Sequence, residues 1–274
     1  MCNPLEKCWV NQIVHGDCID LMQMMPTESV PLVVTSPPYG SIRAFGGHSF
    51  DGEAVIEGIS RIVQPGGIVV WVEQDQIKDR LCSFSSFTNC HKFRQLGFEL
   101  VVPLVLARSA VRVQPKDHYG TPEFALVLSK GRPRYTHSIG DRPNSSAGKW
   151  IGNYRIREKD GILVDKKRNK QVQPYGKRGS VWQVKTGYGV STKDKFAYDH
   201  PAIMSESLAE DLIISFSRPG DLVFDPMIGA GTTAKMAILN HRKFLGFEIH
   251  EPYVEIAKER VRFAELEQQR RMDE

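Results

Sequence analysis

The chain has no long apolar run. The longest nearly unbroken one, Leu100 to Ala107, contains Pro103 and is far too short to cross a bilayer, so no membrane helix and no membrane partner are expected. The first residues, MCNPLEKCWV, lack the basic start and apolar stretch of a secretory signal. The five cysteines, Cys2, Cys8, Cys18, Cys82 and Cys90, form no CxxC pair and are odd in number. Neither a metal site nor a disulfide framework is expected, only buried or incidental thiols in a reducing cytosol. Internal repeats and long low-complexity tracts are absent. What is present is ordinary globular composition: 274 residues, 41% hydrophobic and 25% charged, enough for one sizeable core.

The net charge of +4 hides an asymmetry. Lys130 to Lys195 holds 17 Lys or Arg against 5 Asp or Glu, a net of +12, while the rest of the chain carries a net of −8. The basic block also contains Tyr135, Trp150, Tyr154, Tyr175, Trp182 and Tyr188. Two tryptophans in a basic stretch point to a folded, polyanion-facing insertion rather than a linker.

Strand-length apolar runs occupy the first half: Gln12–His15, Val30–Thr35, Ile68–Val72, Leu100–Ala107 and Phe124–Leu128. Several are apolar throughout, as strands buried on both faces are. A helix is expected over Ala54–Val63, stopped by a turn at Gln64-Pro-Gly-Gly67. Lys130–Lys195 shows no clear period. Beyond it, a helix over Ser205–Phe216 places Leu208, Leu212 and Phe216 on one face, with Ser205 as its cap and Pro219-Gly220 as its stop. A strand Asp221–Phe224, a helix Thr232–Leu239, a strand Lys243–Ile249 and a helix from Pro252 close the chain. This alternation predicts an α/β sheet with mostly parallel strands.

Two segments carry chemistry. Leu222 to Ala234 reads as strand, glycine turn and helix, with Gly229 and Gly231 expected to admit a ligand to the backbone. The next strand ends in Glu248, placed to receive ribose hydroxyls. No lysine follows the glycines, so this is not a phosphate-binding P-loop. Asp225-Pro226, just before the turn, disfavours a pyrophosphate and suits an ammonium group. The second segment, Thr35-Ser-Pro-Pro-Tyr39-Gly40, leaves the end of a predicted strand. Its two prolines fix a stiff turn that presents the Ser36 hydroxyl, the Pro37 carbonyl and the Tyr39 ring.

Thr35-Ser-Pro-Pro-Tyr39 followed far downstream by Asp225-Pro-Met-Ile-Gly-Ala-Gly-Thr-Thr233 resembles the amino-group DNA methyltransferases that use S-adenosylmethionine and methylate cytosine at N4 or adenine at N6. The motif order resembles the beta type. Gly16-Asp17, His200-Pro-Ala-Ile-Met-Ser205 and Glu123-Phe-Ala-Leu-Val-Leu-Ser-Lys130 are similar to further segments of that family, so the likeness spans nearly the whole chain. Met227 stands where the family usually has Phe, Ala230 where it often has Ser, and Ser205 where a proline is common.

The resemblance implies a Rossmann-like methyltransferase sheet of α/β class, circularly permuted, with a small basic target-recognition insertion. Residues 1–130 and 199–274 would be the two halves of one domain and 131–198 the insertion. Ser36, Pro37, Pro38 and Tyr39 would be catalytic, with the Ser36 hydroxyl and Pro37 carbonyl accepting hydrogens from the target amine and Tyr39 stacking on a flipped base. Cofactor contacts would come from Asp17, Cys18, Thr35, Met204, Ser205, Asp225, Pro226, Met227, Gly229, Gly231, Thr232, Glu248 and Ile249. Asp225 would hold the methionine ammonium, Glu248 the ribose, and Asp17 would lie near the adenine, although a helix-capping role for Asp17 is also open. DNA contacts would come from Arg43 and His48 in a glycine-rich Gly40–Gly52 loop, and from Arg142, Arg155, Arg157, Lys166, Lys167, Arg168, Lys177 and Arg178. Serine at the first catalytic position leans to cytosine N4, with adenine N6 as the alternative. An RNA methyltransferase, an NAD-dependent oxidoreductase and an inactive DNA-binding module are more distant readings. Double-stranded DNA is the implied partner; a homodimer and a cognate restriction endonuclease are left open. The implied setting is cytoplasmic, in a bacterium, an archaeon or a phage-encoded system.

Overall fold

In a computed structural model, residues 9–39, 50–108 and 121–273 are described. In chain order the strands are β1 (Gln12–His15), β2 (Val30–Thr35), β3 (Val63–Gln74), β4 (Phe98–Arg108), β5 (Glu123–Lys130), β6 (Trp150–Arg157), β7 (Leu163–Gln171), β8 (Val181–Val184), β9 (Leu222–Asp225) and β10 (Lys243–Glu248), apart from two-residue bridges. Eight of them form one sheet in the order β1-β10-β9-β2-β3-β5-β4-β8. Every neighbouring pair is parallel except those of β5, which runs antiparallel to both β3 and β4. The expected mostly parallel α/β sheet is therefore present, with one reversed strand. The permuted order is visible in the register: β1, from the start of the chain, pairs with β10 near its end, His15 opposite Glu248.

The helices are α1 (Cys18–Met24), α2 (Gly52–Ile62), α3 (Ser85–Gln95), α4 (Glu206–Phe216), α5 (Thr232–Leu239) and α6 (Glu251–Asp273). Val55, Ile56, Ile59 and Ile62 make one apolar stripe along α2. That stripe, Leu21 and Met22 of α1, and Phe93 of α3 pack on Val33, Val69, Trp71, Leu126, Phe224, Leu245 and Phe247 of the sheet. Each such fully buried side chain stabilises by about 1.5–3 kcal/mol. On the other side, α4, α5 and α6 pack in succession and α4 lies against β2. Among the described residues no helix is long and apolar enough to cross a membrane.

Several local expectations are corrected. Gln64-Pro-Gly-Gly67 is not a separate turn: β3 begins at Val63, and its register on β2 slips between the Val30–Val63 and Leu32–Ile68 pairs. Gly66 is needed there, because its φ is +74° and a Cβ would lie 2.8 Å from the Arg132 carbonyl. Ser205 sits at the start of α4 but its hydroxyl makes no capping bond; it meets the Ser207 hydroxyl at 3.0 Å. Helix α3 is not among the expected elements. Its first residues are held by Asp75, which accepts from the Ser86 amide at 2.9 Å and the Ser86 hydroxyl at 2.6 Å. A cap supplied from eleven residues away leaves no local signature.

The chain divides into two compact units, Ser138–Gly179 and the remainder. The smaller unit is shorter than the expected 131–198. The Arg134 amide donates to the Gly66 carbonyl at 2.9 Å, the His137 amide donates to the Ser215 carbonyl at 2.7 Å, and β8 is a strand of the main sheet. Within Ser138–Gly179, β6 and β7 form an antiparallel ribbon, and no residue of the unit is buried.

Candidate active site

Ser36-Pro-Pro-Tyr39 leaves the carboxyl end of β2, and Asp225 ends β9, the adjacent parallel strand. Two motifs almost 190 residues apart thus meet at one sheet edge, the place where open α/β sheets bind ligands. The pairing of β1 with β10 brings in the third segment: the Gly16 amide donates to the Glu248 carbonyl at 2.9 Å, and a His15 ring nitrogen lies 3.0 Å from the Ile249 carbonyl.

These segments line a cavity of about 540 Å³ within the larger unit, a size that suits a small-molecule cofactor. Of the expected residues, Asp17, Cys18, Ser36, Pro37, Pro38, Tyr39, Met204, Ser205, Asp225, Pro226, Met227, Gly229, Thr232, Glu248 and Ile249 line it. Thr35 and Gly231 do not. Thr35 is fully buried at the end of β2. Gly231 answers to packing rather than to ligand approach: its φ is +80° and a Cβ would lie 2.9 Å from Ala257 Cα of α6. Gly229 does face the cavity, and a Cβ there would meet the His200 ring at 2.9 Å.

Electrostatics give the cavity its character. Asp225 is 3% exposed. Its carboxylate accepts from the Met227 amide at 3.1 Å and the Thr233 hydroxyl at 2.8 Å. Burial nonetheless pushes its pKa up to about 6, those hydrogen bonds acting in the opposite sense. Glu248 accepts from the Gly229 and His250 amides, both at 2.9 Å, and burial raises its pKa as well. Among the described residues no Lys or Arg pairs with either carboxylate. Two buried anions facing a cavity without a basic side chain of their own suit a ligand that is cationic at one end and carries hydroxyl donors. Asp17 caps α1, accepting from the Ile19 amide at 2.8 Å, while also lining the cavity. Burial, reinforced by Asp17, pushes the Cys18 thiol up to about 12, so it supplies no thiolate at neutral pH.

At the other end, Ser36 Oγ lies 2.8 Å from Tyr39 Oη, and Tyr39 donates to Glu123 Oε1 at 2.9 Å. Arg108 Nε donates to Glu123 Oε2 at 2.7 Å, and Arg108 also bonds Oε1. Burial drives the Tyr39 phenol well above its ordinary pKa, with the Glu123 charge adding to it. Gln76 donates to the Tyr39 carbonyl. Sequence reasoning missed Glu123 and Arg108 as site residues, because the pairing of β4 with β5 sets the contact of Arg108 with Glu123, and the order β2-β3-β5 sets that of Glu123 with Tyr39. It also missed Arg260. Fully buried in α6, Arg260 donates to the Ala230 carbonyl at 3.0 Å and the Thr232 hydroxyl at 2.8 Å. The same guanidinium pairs with Asp194 at 2.9 Å and Glu206 at 2.6 Å, and Lys235 binds both of those acids. This network fixes the glycine turn from below.

Eight of the ten expected DNA contacts fall in the smaller unit. Arg142, Arg155, Arg157, Lys166, Lys167, Arg168, Lys177 and Arg178 all belong to Ser138–Gly179. Arg178 pairs with Asp141, Arg155 with Asp165 and Lys166 with Glu158; Arg157 donates to the Gly161 carbonyl. Lys167, Arg168 and Lys177 make no ion pair among the described residues. Arg43 and His48, with most of the Gly40–Gly52 loop, lie outside the described residues.

The family model described as DNA methylase matches residues 30–259. The orphan methyltransferase M.BamHII of Bacillus amyloliquefaciens is 38% identical over 255 residues, covering 90% of each chain. The DNA adenine methyltransferase YhdJ of Escherichia coli is 28% identical, covering 91% of this chain and 82% of its own. The PvuII DNA methyltransferase, described as cytosine-N4-specific, shares the fold at a TM-score of 0.62 and 18% identity, over 91% of this chain and 85% of that one. With both motifs on one cavity and these likenesses along almost its whole length, the chain belongs to the DNA methylase family, the S-adenosylmethionine-dependent methyltransferases of DNA amino groups.

Proposed function

We propose that this enzyme transfers a methyl group from S-adenosylmethionine to the exocyclic N4 amine of cytosine in duplex DNA, with the target base flipped into the cavity. The observation that carries the reading is Ser36, a neutral hydroxyl at the cavity wall and hydrogen-bonded to Tyr39. In enzymes of this motif order an adenine target mostly goes with Asp at that position.

S-adenosylmethionine, when bound, supplies an electrophilic methyl on a sulfonium. The residues fit it: Asp225 would receive the ammonium, Glu248 would receive the ribose hydroxyls, and Asp17, which lines the same cavity, would lie beside the adenine. The target amine is a poor nucleophile, because its lone pair is delocalised into the ring. Ser36 Oγ and the Pro37 carbonyl accept its two hydrogens and draw the nitrogen towards tetrahedral geometry. Each such bond contributes on the order of 1 kcal/mol net. Holding the amine in line with the methyl is worth more, about 7–11 kcal/mol at most. Tyr39 stacks on the flipped base. Once the methyl has been transferred, the cationic amine nitrogen releases one N–H proton to water, so the scheme needs neither a general base nor a cysteine nucleophile. The exposed ribbon of β6 and β7, with Lys167 and Arg168 on it, supplies contacts to DNA phosphates and bases.

Nucleoside mass spectrometry after incubation with mixed-sequence duplex DNA and S-adenosylmethionine tests this. N4-methylcytosine is the expected product. N6-methyladenine, the second reading that the YhdJ likeness favours, would keep the cavity chemistry and overturn the base. Methylation of RNA but not of duplex DNA would overturn the substrate.

A further inference from the structure

Glu123 is buried to 5% exposure, lines the cavity, and has no part in the reaction as described above. Its carboxylate is clamped by Arg108 through both oxygens. A carboxylate accepts hydrogen bonds and cannot donate. Tyr39 Oη lies 2.9 Å from Glu123 Oε1 and 2.8 Å from Ser36 Oγ. The Tyr39 hydrogen is therefore committed to Glu123, and the Tyr39 oxygen is left to accept the Ser36 hydrogen. With that hydrogen spent, the Ser36 oxygen has only lone pairs to offer the cavity.

We propose that Glu123 is a positioning residue for methyl transfer: acting through Tyr39, it fixes the direction of the Ser36 hydroxyl so that Ser36 accepts from the target amine. The opposite direction would be unproductive. A Ser36 hydrogen aimed into the site would bond the amine lone pair, the electron pair that must attack the methyl. Arg108 serves the same end by keeping the carboxylate in place. Ser36 and Tyr39 lie in the motif itself, whereas Glu123 comes from β5, 84 residues beyond Tyr39. The assignment rests on the reading of Ser36 as an amine acceptor.

The test is single-turnover transfer at saturating DNA and cofactor, with cofactor and DNA affinities measured alongside. Glu123→Gln keeps the shape but can present amide hydrogens to Tyr39. It should slow transfer about 10- to 100-fold while both affinities stay within about twofold. Tyr39→Phe keeps the ring and removes the relay, so it should slow transfer at least about tenfold. In the double variant the Glu123 change should cost less than about twofold more, because its effect runs through the hydroxyl already removed. Losses that multiply would overturn the proposal, as would Glu123→Gln at the wild-type rate. If Glu123→Gln does not fold, Tyr39→Phe at the wild-type rate is enough to overturn it. Ser36→Ala separates the two levels. A wild-type rate in Ser36→Ala would overturn the Ser36 reading and this inference together, whereas a slow Ser36→Ala beside a fast Glu123→Gln would overturn only the role of Glu123.

Discussion

Two arginine–carboxylate pairs in this chain have nearly equal lengths and different consequences. Arg260 meets Asp194 at 2.9 Å and Glu206 at 2.6 Å with its side chain 0% exposed. Arg155 meets Asp165 at 2.8 Å with both side chains about 70% exposed. The first lies under the glycine turn of the cavity. It cannot be opened without leaving two acids and the Ala230 carbonyl short of donors. The second lies on a ribbon where water replaces either partner at little cost. The body that lines the cavity fixes its charges by burial, and the Ser138–Gly179 unit, with no buried residue, keeps its charges in contact with water.

Breaking the two pairs should widen that contrast most. Arg260→Met should destabilise by about 3–5 kcal/mol, read as a shift in the urea midpoint. A cost near that of a surface pair would show that the network is not sealed from water. Next in size, Asp225→Asn should weaken cofactor binding about 10- to 100-fold, the 1.5–3 kcal/mol of a charged hydrogen bond, with the midpoint for the unliganded enzyme unchanged or raised.

The pH dependence of Asp225 has two opposite signs. Its native pKa, about 6, is raised above the ordinary 3.8. The unliganded protein therefore gains stability from this group as pH falls from about 6 towards 3.8. Binding of a cation needs the ionised form. Cofactor affinity should fall roughly tenfold between about pH 7 and pH 5, measured by calorimetry, and Asp225→Asn should flatten that profile.

Unpaired charge on the smaller unit should act on DNA affinity alone. Replacing Lys167, Arg168 and Lys177 by Gln should make the slope of log affinity against log salt shallower by about 2.7, at roughly 0.9 for each phosphate that is no longer neutralised. The urea midpoint and the single-turnover rate should hold. An unchanged slope would remove these residues from the interface. The smallest effect belongs to Arg155→Ala, with a stability change below about 1 kcal/mol.

The two regions also differ in how far the sequence exposed them. In the body, Val30–Thr35 and Asp221–Phe224 read as strands because buried parallel strands are nearly continuous apolar runs, and both chemical motifs follow directly from strand ends. Helix α3 was hidden because its cap, Asp75, is not adjacent, and only Ser86 and Phe93 of its residues are buried. Strand β8 was hidden inside the basic block: Trp182 and Val184 alternate with exposed residues over only four positions. In the smaller unit, with no buried residue, no hydrophobic period existed to be read.

The sequence by itself determined the strand-forming runs, the glycine turn, the stiff Ser36-Pro-Pro-Tyr39 segment and their order along the chain. Each of these depends on bonds and side chains within a few residues. Only the tertiary structure decided that Ser36 lies at the same sheet edge as Asp225, that His15 lies opposite Glu248, and that Glu123 reaches Tyr39. Neighbouring parallel strands must be joined by long crossovers, so residues that share the cavity are separated along the chain. Their meeting is set by sheet register and by the burial that holds it.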